Sequence, residues 1–247
     1  MTRAAFLMSP CDGFPIGPGD VTDETCDLVG PLPQKGGGPV DYWPGVDWVA
    51  EVRAWMSSEL IAPLAKEGVV LKAALLRFEN VLRKPGPAFN YMMAAAAADG
   101  ADYLYRVNDD TEFVGAGWAS QAVAALRSYS PPNVGVVGPV CHEGNTRILT
   151  HDLVHRTHLQ IFEHYYPPIF SDWWMDDWIT HVYGPARTTK GPFVVKHLWT
   201  VHGTRYQVDH SHERRLATEL DAGRRRITHW LQEATWRQAH ARGARRR

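Results

Sequence analysis

Apolar residues fall along this chain in runs separated by short polar or Gly/Pro breaks, and the spacing inside each run predicts its element. Arg3 to Ser9 reads as a first strand that stops at Pro10-Cys11-Asp12-Gly13. From residue 11 to residue 45 the chain is rich in Gly and Pro, which predicts a long loop. Asp47 is placed to cap a helix running to about Ile61, with Val49, Val52, Trp55, Met56 and Leu60 at helical spacing. Val69 to Phe78 reads as a second buried strand. Pro87 then suits a first helical turn, Ala94 to Ala98 propagate the helix, and Gly100 sits where a left-handed cap would end it.

An apolar strand, Asp102 to Val107, follows that helix at once and stops on Asn108-Asp109-Asp110. Strand, helix and strand in this order predict a right-handed crossover and a parallel sheet. Beyond it the pattern predicts a helix over Gly117 to Ser128, a short buried strand over Gly135 to Val140 and a helix over Ile148 to Phe162. Tyr165 to Phe170 reads as an aromatic, Pro-broken turn. WWMDDWI, Trp173 to Ile179, starts another helix with its acids in the first turn, where the helix dipole favours them. Phe193 to His197 reads as a strand, and Glu213 to about Arg242 as a basic helix.

A chain of 247 residues can bury a substantial core. Its 26 basic and 27 acidic residues give a formal charge of −1, so no global basic field points to nucleic acid or a membrane surface. The three cysteines, Cys11, Cys26 and Cys141, lie far apart without a metal-type pair, which fits a reducing compartment. No run has the length of a transmembrane helix and the first residues lack a signal-peptide pattern; the expectation is a soluble, cytoplasmic protein. Ten tryptophans are many, and Trp serves both core packing and flat, partly apolar ligands.

The chemistry centres on Asn108-Asp109-Asp110. Carboxylates at the end of a buried strand repel each other and lose hydration, so a cation belongs beside them unless they cap a turn. Oxygen ligands of this kind suit Mg²⁺ or Mn²⁺ shared with substrate phosphates.

The run from Lys84 to Phe113 resembles the stretch leading into the DxD motif of GT-A nucleotide-sugar glycosyltransferases. GVVGP, from Gly135, resembles the glycine-containing loop after it. WWMDDWI resembles the acidic motif of inverting members, and FVVKH the late strand whose histidine completes the metal site. The likeness is strongest over Lys84 to Gly184, and the triplet departs from it in having Asn108 at its first position.

This resemblance implies a GT-A, Rossmann-like α/β fold: a mostly parallel sheet sandwiched by helices over residues 1–212, with a basic helical extension over 213–247. It implies transfer of a sugar from a nucleotide-diphosphate donor, a UDP-sugar by preference, to a glycan or other hydroxyl acceptor with inversion, using Mn²⁺ or Mg²⁺. Asp110 would bind the metal directly, Asp109 would support the metal or donor ribose, and Asn108 would hydrogen-bond or coordinate weakly. His197 would supply a further ligand, with His202 second in line. Asp177 would be the base and Asp176 its neighbour. Lys84 and Asn90 would approach the donor, and Gly138 would allow close approach of sugar or acceptor. Trp173, Trp174 and Trp178 would form an acceptor platform or core.

Three other readings compete. His151 and His155 stand at the i, i+4 spacing of a zinc-binding helix, with His158 a further turn on, but Asp152 is a methylene shorter than the Glu such hydrolases use. On that helix the His face would otherwise line the acceptor cleft. A nucleotide-sugar-forming nucleotidyltransferase would carry a basic phosphate loop after the first strand, and Pro10-Cys11-Asp12-Gly13 has no Lys or Arg. Arg224-Arg225-Arg226 with Arg242 and Arg245 to Arg247 would serve a non-catalytic sugar- or nucleic-acid-binding module, or simply a solvated tail.

Overall fold

The structure is a computed structural model that describes residues 4–9, 32–33, 39–40, 48–73, 82, 84–108, 110–143, 145–198 and 206–244. The chain divides into two compact units, Met1–Gly13 with Val81–Arg247, and Phe14–Asn80. The first begins with β1 (Ala4–Ser9). The second holds the two-residue strands β2 (Leu32–Pro33) and β3 (Pro39–Val40), paired antiparallel. It also holds α1 (Trp48–Trp55), a π-helical stretch Met56–Ile61, and α2 (Ala62–Lys66). The strand expected over Val69 to Phe78 is absent from residues 69–73, where Val70 is 90% exposed; residues 74–80 lie outside the described set.

The first unit continues with α3 (Pro85–Ala98), β4 (Tyr103–Asn108), β5 (Thr111–Val114), α4 (Trp118–Ser128) and β6 (Val136–Cys141). Then come β7 (Asp152–His155), α5 (Thr157–Phe162), α6 (Trp174–Val182), β8 (Thr188–His197) and α7 (Glu213–Ala244). Six strands form one sheet in the order β1-β4-β7-β6-β8-β5. The fold is α/β, but the sheet is mixed rather than mostly parallel: β1/β4 and β6/β8 are parallel, while β4/β7, β6/β7 and β5/β8 are antiparallel.

The antiparallel centre comes from β7, in the stretch where the spacing predicts a helix over Ile148 to Phe162. Only Thr157–Phe162 is helical. Before it, Leu153 joins the apolar layer with Tyr105, Val137 and Ala122, whereas its neighbour Val154 joins the opposite layer with Leu104, Phe89 and Trp178. Consecutive residues buried on opposite faces are what a strand delivers between two covered layers. The i, i+4 histidines share no helix face.

β4 reads the same way. Tyr103, Tyr105 and Val107 face the layer under α4, while Leu104 faces the layer built from α3, α5, α6 and Ile227 of α7. β8 is longer than its expected five-residue core because it runs through Gly191 and Pro192. The β6/β8 register jumps there, from Gly138↔Lys190 to Val140↔Val194, so the strand absorbs the proline in an irregularity. Among the described residues no helix is long and apolar enough to cross a membrane.

Candidate functional site

β4 ends on Asn108, and the chain turns straight into β5, whose first residue, Thr111, lies opposite His197 at the end of β8. The Leu198 N–H donates to the Asp110 carbonyl at 2.8 Å, which pins this turn to the β8 terminus. The side chains converge as a result: His197 Nε2 lies 3.1 Å from Asp110 Oδ1 and 3.2 Å from Asn108 Nδ2. Both acid and imidazole are largely shielded, at 8% and 14% side-chain exposure.

Behind them stands His151, its ring edge-on to that of His197 at 5.1 Å. Its Nε2 lies 2.6 Å from Thr111 Oγ1 and its Nδ1 3.1 Å from Thr150 Oγ1. Burial, then Arg106 and His197, push its pKa well below the ordinary histidine value, so it stays neutral.

Two residues before Asn108, Arg106 is buried inside the apolar strand, 1% exposed. A guanidinium there must have every donor answered. Nε donates to Asp152 Oδ1 at 3.0 Å and to the Tyr166 hydroxyl at 2.9 Å. Nη1 donates to the Thr150 carbonyl, and Nη2 to Asp152 Oδ1 and to Asp176 Oδ1. The Tyr165 and Tyr166 hydroxyls donate to Asp152 Oδ2 and Oδ1, each at 2.6 Å. Thus one cation holds two carboxylates and ties the first turn of α6 to the segment that carries His151.

The two acids of α6 divide. Asp176 faces Arg106, and burial raises its pKa to about 6, with Arg106 opposing and Asp152 adding to the rise. Asp177 is half-buried; burial raises its pKa and His181 opposes. The Thr180 hydroxyl donates to the Asp176 carbonyl at 2.6 Å and accepts from the Leu149 N–H at 2.8 Å, locking α6 against the strand-leading loop.

The remaining expected residues are placed as follows. Lys84 Nζ lies 2.8 Å from Asp172 Oδ2, a fully buried carboxylate that also accepts the Asp209 N–H at 2.9 Å. The Asn90 amide pairs with the backbone of Tyr166 in both directions, at 2.7 and 3.0 Å, and so fixes the ring that serves Arg106. Gly138 lies inside β6, where an added Cβ would stand 2.5 Å from the His151 carbonyl oxygen and 2.6 Å from Leu149 Cδ2; its bareness lets that segment approach. Asp109 and His202 lie outside the described residues.

Trp178 is buried and its indole donates to the Glu219 carbonyl, Trp174 donates to the Asp209 carbonyl at 3.0 Å, and Trp173 is 46% exposed. His158, expected on a helix face near substrate, is buried in the core between the Tyr183 hydroxyl and the Tyr165 carbonyl, and burial lowers its pKa to about 4. His155 pairs with Thr157. The three histidines of the supposed zinc helix therefore have three separate environments. Arg224 and Arg226 donate to the His181 and Phe162 carbonyls, while Arg225 pairs with Asp221 on the exposed surface of α7.

The sequence pattern assigns no site role to Arg106, Tyr166 or Asp172, and Asp152 enters only as the acid of a zinc-hydrolase helix. The available signal was a charge inside an apolar strand, which demands a buried counter-charge.

Among the described residues no group of three or more His, Cys, Asp or Glu side chains gathers as a metal cluster. Asp110 and His197 offer one oxygen and one imidazole nitrogen. Their 3.1 Å separation matches the ~3 Å between neighbouring ligands of an octahedral ion with bonds near ~2.1 Å. Ions of the Mg²⁺ and Mn²⁺ type keep several waters or phosphate oxygens, so two protein donors are a sufficient set. Comparison of the chain with protein families, with curated proteins and with solved structures finds no match.

Proposed function

We propose that this chain is a metal-dependent glycosyltransferase, moving a sugar from a nucleotide-diphosphate donor to a hydroxyl acceptor with inversion. The observation that carries the reading is the meeting of Asp110, which follows β4 and precedes β5, with His197 at the end of β8. Ligands of α/β sheets bind beyond such strand ends. Asp110 and His197 would hold Mn²⁺ or Mg²⁺, whose Lewis acidity would stabilise charge on the departing diphosphate. Asn108, whose Nδ2 lies 3.2 Å from that same His197 nitrogen, would release it to the ion.

In the transfer, the acceptor oxygen forms a bond to the anomeric carbon as the bond to the diphosphate oxygen breaks. The electron pair leaves with the diphosphate, and the acceptor proton passes to Asp177. Asp177 suits that task because burial raises its affinity for a proton while it stays partly open to solvent. Asp176 is held by Arg106 and would anchor the helix start. Lys84 and Asn90 already have protein partners, and the reading assigns them the shaping of the site rather than contact with the donor.

The test is thermal shift with UDP, GDP and their sugar conjugates, with and without Mn²⁺. Metal-dependent stabilisation by at least one nucleotide, lost in Asp110→Asn, is expected, with UDP tried first. The absence of metal-dependent stabilisation by every one of them overturns the reading.

A further inference from the structure

We propose that the exposed side of α7 between Ala222 and Trp236 is an interaction surface, and that its occupant is a second copy of this chain, whose own α7 lies antiparallel across it. The inference stands independently of the transfer reading.

One side of α7 packs on the core: Gly223 and Ile227 are buried, and Leu216, Leu220 and Trp230 join them at steps of four and three. Ala222, Arg226, His229, Glu233 and Trp236 follow a second line at the same steps, so they share a neighbouring side of the helix. Arg226, His229, Glu233 and Trp236 are each at least half exposed. Between this line and α5 runs a groove of about 430 Å³, with Ile161 and Trp230 as its apolar part. Arg225 and Arg226 line it together with Glu163 and Glu233, so no single sign of charge selects a phosphate or a polycation. An exposed Trp beside an apolar groove with a mixed polar rim is the composition of a protein interface.

The order of side chains along the line identifies the partner. A two-fold axis pairs a surface with itself, residue i with j and j with i. Turned end for end about a point midway between His229 and Glu233, the line sets Arg226 against the partner's Trp236 and His229 against the partner's Glu233, each contact made twice. The first places a guanidinium on an aromatic ring, and the second an imidazole N–H on a carboxylate. The same pairing brings the partner's Trp236 to the groove that Arg226 lines, where Ile161 and Trp230 offer it an apolar seat. A parallel arrangement would instead oppose Arg226 to its own copy and Glu233 to its own copy, like charge against like. Within one chain these groups are loosely engaged. Glu233 lies 3.3 Å from Arg237 and 3.7 Å from His229, and Arg226 donates to the Phe162 carbonyl at 3.3 Å and lies 4.0 Å from Glu163. Exposed pairs of this kind contribute little, and a guanidinium keeps further donors. Contact over about four helical turns buries less than the ~800 Å² per side of a standard interface, so the dimer is reversible, with a dissociation constant on the order of micromolar.

Sedimentation equilibrium of the full chain, from about one to about one hundred micromolar, tests this. The wild type is expected to pass from monomer to dimer across that range. Trp236→Ala and Glu233→Lys are each expected to weaken the dimer roughly tenfold, and so is His229→Glu, which opposes two carboxylates. These substitutions lie on an exposed helix side and use good helix formers, so the fold is kept, as circular dichroism checks. Mixing the Glu233→Lys chain with the His229→Glu chain sets His229 of the first against Glu233 of the second, and the introduced lysine against the introduced glutamate. The mixture is therefore expected to form a heterodimer at concentrations where neither chain dimerises alone. A wild-type chain that stays monomeric over the whole range overturns the inference. So does a dimer that Trp236→Ala and Glu233→Lys leave intact, or a mixture that associates no more tightly than its separate components.

Discussion

Asp110 and His197 reach each other, at 3.1 Å between Oδ1 and Nε2, because the β5/β8 ladder brings Thr111 opposite His197. A carboxylate and an imidazole this close form either an ion pair or two edges of a metal site, and exchange of one atom separates the two. Asp110→Asn keeps the size and a hydrogen-bonding oxygen but removes the charge. It is expected to abolish Mn²⁺-dependent stabilisation by nucleotide and to lower transfer by about 10²–10³-fold. Calorimetric titration of Mn²⁺ with UDP present checks the first effect and release of UDP the second.

Arg106 sits between two carboxylates in a dry layer, so its removal leaves buried negative charge unanswered. Arg106→Met is expected to cost about 3–5 kcal/mol of folding stability, read by urea denaturation. Tyr166→Phe deletes one donor to Asp152 and leaves the guanidinium in place, and a smaller loss of about 1–3 kcal/mol is expected.

Asp176 gives a pH signature with a definite sign. Its folded pKa, about 6, lies above the ordinary carboxylate value, so between these two the folded chain binds more proton than the unfolded one. Asp176 therefore costs no stability below the unfolded value, and its cost grows as pH rises toward the folded value. Measured against Asp176→Asn, wild-type stability should fall by about 2 kcal/mol between about pH 4 and pH 6. Parallel stability–pH curves for the two proteins would refute this.

Gly138→Ala would put a methyl group 2.5 Å from the His151 carbonyl oxygen. That carbonyl and the Leu149 side chain give little room, and a loss of about 1–3 kcal/mol is expected. Because the same contact seats His151 beside His197, Mn²⁺ affinity should drop with it, as titration with UDP present would show.

The helices were legible wherever their signals were local. α3, α4, α6 and α7 begin and end within a few residues of the positions set by Pro87, Gly100, the Asp176-Asp177 pair and the basic periodicity. β7 was not legible, because His151, His155 and His158, in and around it, mimic a helical spacing and its strand character comes only from β4 and β6 on either side. β5 was missed for a similar reason: a four-residue strand after an acidic turn has meaning only opposite β8.

The sequence alone determined that two acidic motifs, one after a buried strand and one opening a helix, lie in an α/β protein, since period, caps and charge placement act over a few residues. The tertiary structure alone decided that the sheet is mixed, that Asp110 meets His197, and that Arg106 claims Asp176 while Asp177 faces out. Those outcomes depend on strand register and on the need of a buried charge for a partner distant along the chain, which no local pattern encodes.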